Sequence, residues 1–284
     1  MGKTDKKVEE KEQDSKFKTF LNDALLICLV LFIFSGSRLI KYNLDKKAND
    51  KIIEKISKSI TIDESVKDIT YEDVRNMQKA KEENADGLQD TEGITIKSKY
   101  SIDFETLKEQ NSDTVGFLKV KGTDIEFVVV QTVDNNYYLK HNFDKNNNKA
   151  GWVFADYRND IDGTDKNIVI YGHNMLNGTM FSSLSNCLER EWQEEINNRF
   201  ITFITPDETA IYEVFAVYQI EDDDYYTQTK FTESSFREYI KTALSKSEYD
   251  FDTIVNEDDQ LLTLVTCGRS NSNRVIVQAK KLKY

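Results

Sequence analysis

From Ile94 onward the chain breaks into short runs of β-branched and aromatic residues separated by Asn, Asp and Gly, and no other feature limits its fold so much. The runs are Ile125 to Gln131, Tyr137 to Leu139, Trp152 to Phe154, Ile168 to Tyr171, Arg199 to Ile204, Ala210 to Ile220, Gln260 to Thr266 and Arg274 to Lys280. Eight short strands at this density predict a mainly β fold closed, or nearly closed, into a barrel. Met180 to Leu184 and Ser234 to Leu244 carry helical spacing instead, with Phe236, Ile240 and Leu244 on one stripe. One or two peripheral helices therefore decorate the barrel. The single proline, Pro206, lies in a Thr205-Pro206-Asp207 turn suited to joining two strands.

The N-terminal third is built differently. Ala24 to Phe34 is eleven consecutive apolar residues, and extension to Ile40 approaches the roughly 20 residues that a membrane-spanning helix needs. Arg38 would snorkel towards the interface. A cleaved signal peptide has a similar apolar core followed by small residues. The 23 residues before Ala24 are long for the start of such a peptide and carry six Lys against six Asp or Glu, which favours an uncleaved anchor over 23–42 behind a tail over 1–22. Lys11, Lys16 and Lys18 before the segment are matched by Arg38, Lys41, Lys46 and Lys47 after it, so basic residues do not set its orientation. Residues 43–95 read as a helical extension and linker, with Ile52, Ile53, Ile56 and Ile60 at helix-like intervals. Asp63, or Thr70 with Asp73 three residues on, would cap a second helix ending near Gly87. Ala85 to Gly93 reads as a linker, and 96–284 as the barrel.

Composition narrows the function. With 284 residues, 39% of them hydrophobic, the chain can build a real core. A formal net charge of -12 spread along the sequence argues against a nucleic-acid partner, which needs a concentrated basic face. The three cysteines, Cys28, Cys187 and Cys267, do not make a disulfide framework. The two histidines, His141 and His173, stand in no metal-ligand motif, so no metal and no cofactor is expected.

Three positions can carry chemistry. Cys267 ends the apolar run Gln260 to Cys267 and is followed by a loop of Gly, Arg, Ser and Asn, where substrate can reach a thiol and positive charge favours thiolate. On position alone a buried strand cysteine fits as well. His173 follows the apolar strand Ile168 to Tyr171, at a strand mouth suited to general acid/base work, with His141 as its rival. Arg274 opens the last strand, across a hairpin loop from Cys267, and Arg269 inside that loop competes for the same role.

Taken in order, Tyr137 to Phe143, Gly151 to Asp156, Tyr171-Gly172-His173-Asn174-Met175 with Thr179-Met180-Phe181, Thr263 to Cys267, and Arg274 to Val277 resemble the sortases. The resemblance covers roughly Ser101 to Tyr284, and the helical preface resembles class B members in particular. It implies an eight-stranded sortase-type β-barrel, in agreement with the strand count. It also implies a cysteine transpeptidase with Cys267 as nucleophile, His173 as acid/base and Arg274 at the reacting carbonyl, leaving His141 structural or beside the substrate. Only six residues separate Cys267 from Arg274, a shorter loop than many class B members have. The implied partners are secreted proteins bearing a sorting motif and an amine of the cell wall. The implied setting is a membrane anchor with its tail in the cytoplasm and the catalytic domain outside. Two other readings remain at this stage, a cysteine endopeptidase that releases free acid and a non-enzymatic surface binding module.

Overall fold

The computed structural model describes residues 4–84, 98–161, 163–221, 224–267 and 273–283, with the backbone alone for 4–15, 80–84 and Cys267. The expected linker at 85–93 and the 268–272 loop with Arg269 lie outside the described residues. The chain divides into two compact units, 1–50 and 51–284.

A single helix, α1 (Thr4–Ser57), supplies the described part of the first unit. Its apolar run is bare: Leu25, Leu29 and Phe32 are 61%, 54% and 77% exposed. By length and composition this helix can cross a membrane.

The second unit adds α2 (Tyr71–Asn84), α3 (Phe104–Gln110), a short α4 (Arg190–Glu194) and α5 (Glu233–Lys246). Two short strands, β1 (Ile60–Ile62) and β2 (Tyr100–Ile102), pair with each other. The remaining strands are β3 (Thr114–Val120), β4 (Glu126–Val130), β5 (Phe154–Ala155), β6 (Asn167–Tyr171), β7 (Phe200–Ile204), β8 (Thr209–Glu221), β9 (Leu261–Cys267) and β10 (Asn273–Lys281). They close in the order β10-β8-β7-β3-β4-β5-β6-β9. All neighbours are antiparallel except β4 with β5 and β6 with β9.

The main core is one cluster of buried side chains that includes Phe117, Val128, Val130, Phe154, Ile170, Tyr212, Leu264 and Val277 and draws on both faces of the barrel wall. Several strands are covered outside as well. Ile52 and Ile56 of α1 and Leu107 of α3 join the same core, which explains why β4 reads as a continuous apolar run and not an alternating one. On another face α2 rests through Val74 on Phe200, Ile211 and Leu282. Thr70 and Asp73 start α2 reciprocally: the Asp73 carboxylate accepts from the Thr70 amide at 2.8 Å and the Thr70 hydroxyl accepts from the Asp73 amide at 3.2 Å. Beneath α2, Arg75 approaches the fully buried Glu213 carboxylate at 3.6 Å. A third layer is α5, capped by Thr232 and Ser235 and packed on Phe215, Tyr218 and Ile276 through Phe236, Tyr239, Ile240 and Ala243.

Three details differ from the sequence-based expectation. Tyr137–Leu139 is a 3-10 turn, not a strand, because the Asp134 carboxylate accepts from the amides of Asn136 (2.6 Å) and Tyr137 (2.9 Å) and winds the chain there. The eighth strand is β3, whose pattern is interrupted by Gly116 and Lys119. A Cβ on Gly116 would lie 2.6 Å from the Phe203 ring, so the smallest residue is required at that strand crossing. The apolar stripe of α5 runs through Tyr239 and Ala243, and Leu244 is half exposed. Cys187, in a 3-10 turn over Ser182–Leu188, is fully buried despite its polar sequence neighbours.

Candidate active site

Strands β6 and β9 lie side by side and parallel, with Tyr171 opposite Val265. His173 and Cys267 each stand two residues further along, so the parallel register carries both to the same rim of the barrel. The pairing continues to that rim: the Gly172 amide donates to the Val265 carbonyl at 3.1 Å, and the Thr266 hydroxyl donates to the Gly172 carbonyl at 2.7 Å. Strand β10 leaves from the same rim, with Arg274 the direct cross-strand partner of Cys267. Neighbouring strands run about 4.8 Å apart, so three adjacent strand ends bring the three residues to one place. Arg274 is half-buried, its backbone is also paired with Ile220 of β8, and its Nη1 donates to the Asn273 carbonyl at 3.1 Å.

The ring of His173 is oriented from the turn that precedes β5. Its Nε2 lies 2.9 Å from the Leu139 carbonyl oxygen. A carbonyl only accepts, so Nε2 carries the proton and Nδ1 is left to exchange one. That turn approaches the ring closely because of Gly151, which has φ +58 and where a Cβ would collide with the Tyr138 carbonyl and lie 3.0 Å from His173 Cδ2. On the other side the His173 carbonyl accepts from the Phe181 amide at 2.9 Å, and the Phe181 ring lies on Gly172. Gly151→Ala is therefore expected to cost about 1–3 kcal/mol of stability and to lower turnover at permissive temperature, because backbone must move from the His173 ring. Melting and steady-state rates on this one variant check it, and wild-type values for both would contradict the proposed packing.

His141 is held by its own turn. Its ring stacks on Tyr137 at 4.1 Å and 8°, and its Nδ1 lies 2.8 Å from the Tyr137 carbonyl, so it takes the tautomer opposite to that of His173. Among the described residues no group of His, Cys, Asp or Glu is arranged to hold a metal ion. The Leu139 carbonyl, Gly151 and Thr266 were not anticipated from sequence. Gly151 and Thr266 both lie in segments that carry the family resemblance, but nothing in those segments assigned either a role.

Residues 118–282 match the family model for the sortase domain. Over 270 residues the chain is 31% identical to sortase B of Listeria monocytogenes, an alignment covering 93% of this chain and 98% of that protein. The chain belongs to the sortase family. Among solved structures, sortase B of Clostridium perfringens superposes with a TM-score of 0.60 at 37% identity, over 63% of this chain and all of that one. Sortase B of Staphylococcus aureus gives 0.60 at 26% identity, over 74% and 95% of the two chains. This sortase is accordingly of class B, a cysteine transpeptidase on an eight-stranded barrel.

Proposed function

We propose that this sortase cleaves a sorting motif near the C-terminus of secreted proteins after its threonine and transfers the acyl end, through a thioester on Cys267, to an amine of the cell wall. The reading rests above all on the β6–β9–β10 register at the rim, together with the fixed ring of His173. In the first half-reaction the Cys267 thiolate attacks the threonine carbonyl. Arg274 stabilises the oxyanion that forms. Collapse of that intermediate breaks the C–N bond as the His173 imidazolium gives its Nδ1 proton to the leaving amine. In the second half-reaction the acceptor amine attacks the thioester, neutral His173 takes a proton from it, and the thiolate leaves. No metal is required by these steps.

Two related structures bear on the acceptor and donor: a sortase B complexed with triglycine, at 29% identity and TM-score 0.60, and a Staphylococcus aureus sortase B–substrate complex, at 26% and 0.59. Triglycine is thus the first acceptor to try. A threonine-containing pentapeptide library with and without triglycine is expected to yield a new amide only when the acceptor is present. Free acid in both cases would make the enzyme an endopeptidase.

The apolar part of α1 is proposed to be a single uncleaved membrane anchor over 23–42, with the catalytic barrel on the outer face and the tail in the cytoplasm. Its bare apolar side chains support this. A chain starting near Leu44 keeps Ile52 and Ile56 in the core and is expected to be soluble and fully active. A chain starting at residue 96 uncovers Glu213, Phe200 and Ile211 and is expected to be unstable. Release of the full-length protein from membranes by carbonate would refute the anchor.

A further inference from the structure

Asp156, just past β5, is fully buried, and five donors converge on its carboxylate. Oδ1 accepts from the Arg158 amide at 3.0 Å and from Arg158 Nε at 2.8 Å. Oδ2 accepts from Arg158 Nη2 at 2.7 Å, Asn135 Nδ2 at 2.9 Å and the Tyr171 hydroxyl at 2.9 Å. Burial alone would push this carboxyl up, yet the hydrogen bonds from Arg158, Asn135 and Tyr171 hold it below the usual carboxylate range. So many charge-assisted bonds exceed what tethering one loop needs.

The three donor residues tie Asp156 to three different segments. Tyr171 is two residues before His173 on β6. Asn135 begins the turn that ends at Leu139, whose carbonyl holds the His173 ring, and its own Oδ1 accepts from the Tyr157 amide at 2.9 Å. Arg158 reaches on through Nη2 to the Thr227 carbonyl at 2.8 Å, at the base of the segment that carries α5. The strand that delivers His173 and the turn that orients it are thus registered against one carboxylate.

We infer that Asp156 is a positioning residue for the sortase reaction, fixing the tautomer and orientation of His173 through Tyr171 and the Asn135–Leu139 turn. The inference rests on the proposed role of His173, and its test is chosen to be read separately. The chain has two histidines, so labelling full-length protein in detergent with 15N-histidine gives two ring systems. In the wild type the neutral ring of His173 should carry its hydrogen on Nε2 and the neutral ring of His141 on Nδ1.

In Asp156→Asn the His173 signals should move to a mixture of both tautomers while His141 stays unchanged as the internal control. Turnover on the library peptide should fall roughly 10- to 100-fold, mainly in kcat. Should that variant not fold, Tyr171→Phe removes one of the three donors on Oδ2 and should show the same changes, smaller. A wild-type His173 tautomer and wild-type kcat in whichever of the two folds would overturn the inference. Full turnover in His173→Gln would instead refute the catalytic role of His173 and leave the ring measurement standing on its own.

Discussion

Cys267→Ala is expected to abolish peptide cleavage and acyl transfer together while the barrel still folds. The residue closes β9 at the rim, and its main chain keeps its pairing with Arg274 whatever the side chain. Only a sulfur is removed. Cys28 and Cys187, the other two thiols of the chain, lie in α1 and in the buried Ser182–Leu188 turn, so neither can stand in for it. The loss should be about 10^4-fold or more, the scale seen when a covalent nucleophile is deleted. Cys187→Ala is the matched comparison. Burial pushes the Cys187 thiol far up, so it is no thiolate near neutral pH, and the side chain acts as core filler under Ser182–Leu188. Its truncation should cost about 1 kcal/mol of stability and leave turnover unchanged. Retained activity in Cys267→Ala would remove the thioester mechanism altogether.

Arg274→Ala is expected to lower kcat by about 100-fold or more, the usual consequence of deleting a held donor at a developing oxyanion. The argument is one of preorganisation. Arg274 lies in β10 with hydrogen-bonded strands on both sides, opposite Cys267 on one and Ile220 on the other, so its backbone has no freedom to drift. Arg274→Lys should rescue little, because a point charge cannot reproduce the planar guanidinium fork. Arg269, in the loop of Gly, Ser and Asn between the two strands, should affect mainly KM when replaced by alanine. Steady-state kinetics of the three variants on one peptide decide between the arginines. A silent Arg274→Ala beside an inactive Arg269→Ala would move the role into the loop.

Much of this architecture was legible because barrel strands advertise themselves locally. The β6, β8, β9 and β10 segments are long, β-branched runs, and the sequence-based bounds fall within one residue of the observed ones. The Tyr137–Leu139 run failed because strand propensity is a weak preference, and the Asp134 carboxylate overrode it with two amide hydrogen bonds. β3 was passed over because its glycine answers to Phe203, a residue of another strand far along the chain. For the rim, residue types near strand ends could be read from sequence. Their convergence depends on the parallel β6–β9 pairing, which no local pattern encodes. The Asp156 network was invisible for a similar reason: Arg158 is a sequence neighbour, but Asn135 and Tyr171 are brought to the same carboxylate only by the folded barrel.

The most direct test of the mechanism is to trap the acyl-enzyme. Full-length protein incubated with a cleavable threonine peptide and no amine should, after acid quenching and digestion, carry the mass of the peptide's N-terminal portion on the fragment containing Cys267. Adding triglycine or hydroxylamine before the quench should discharge that adduct into the corresponding amide or hydroxamate. Steady turnover with no adduct at Cys267, or an adduct on another residue, would contradict the account.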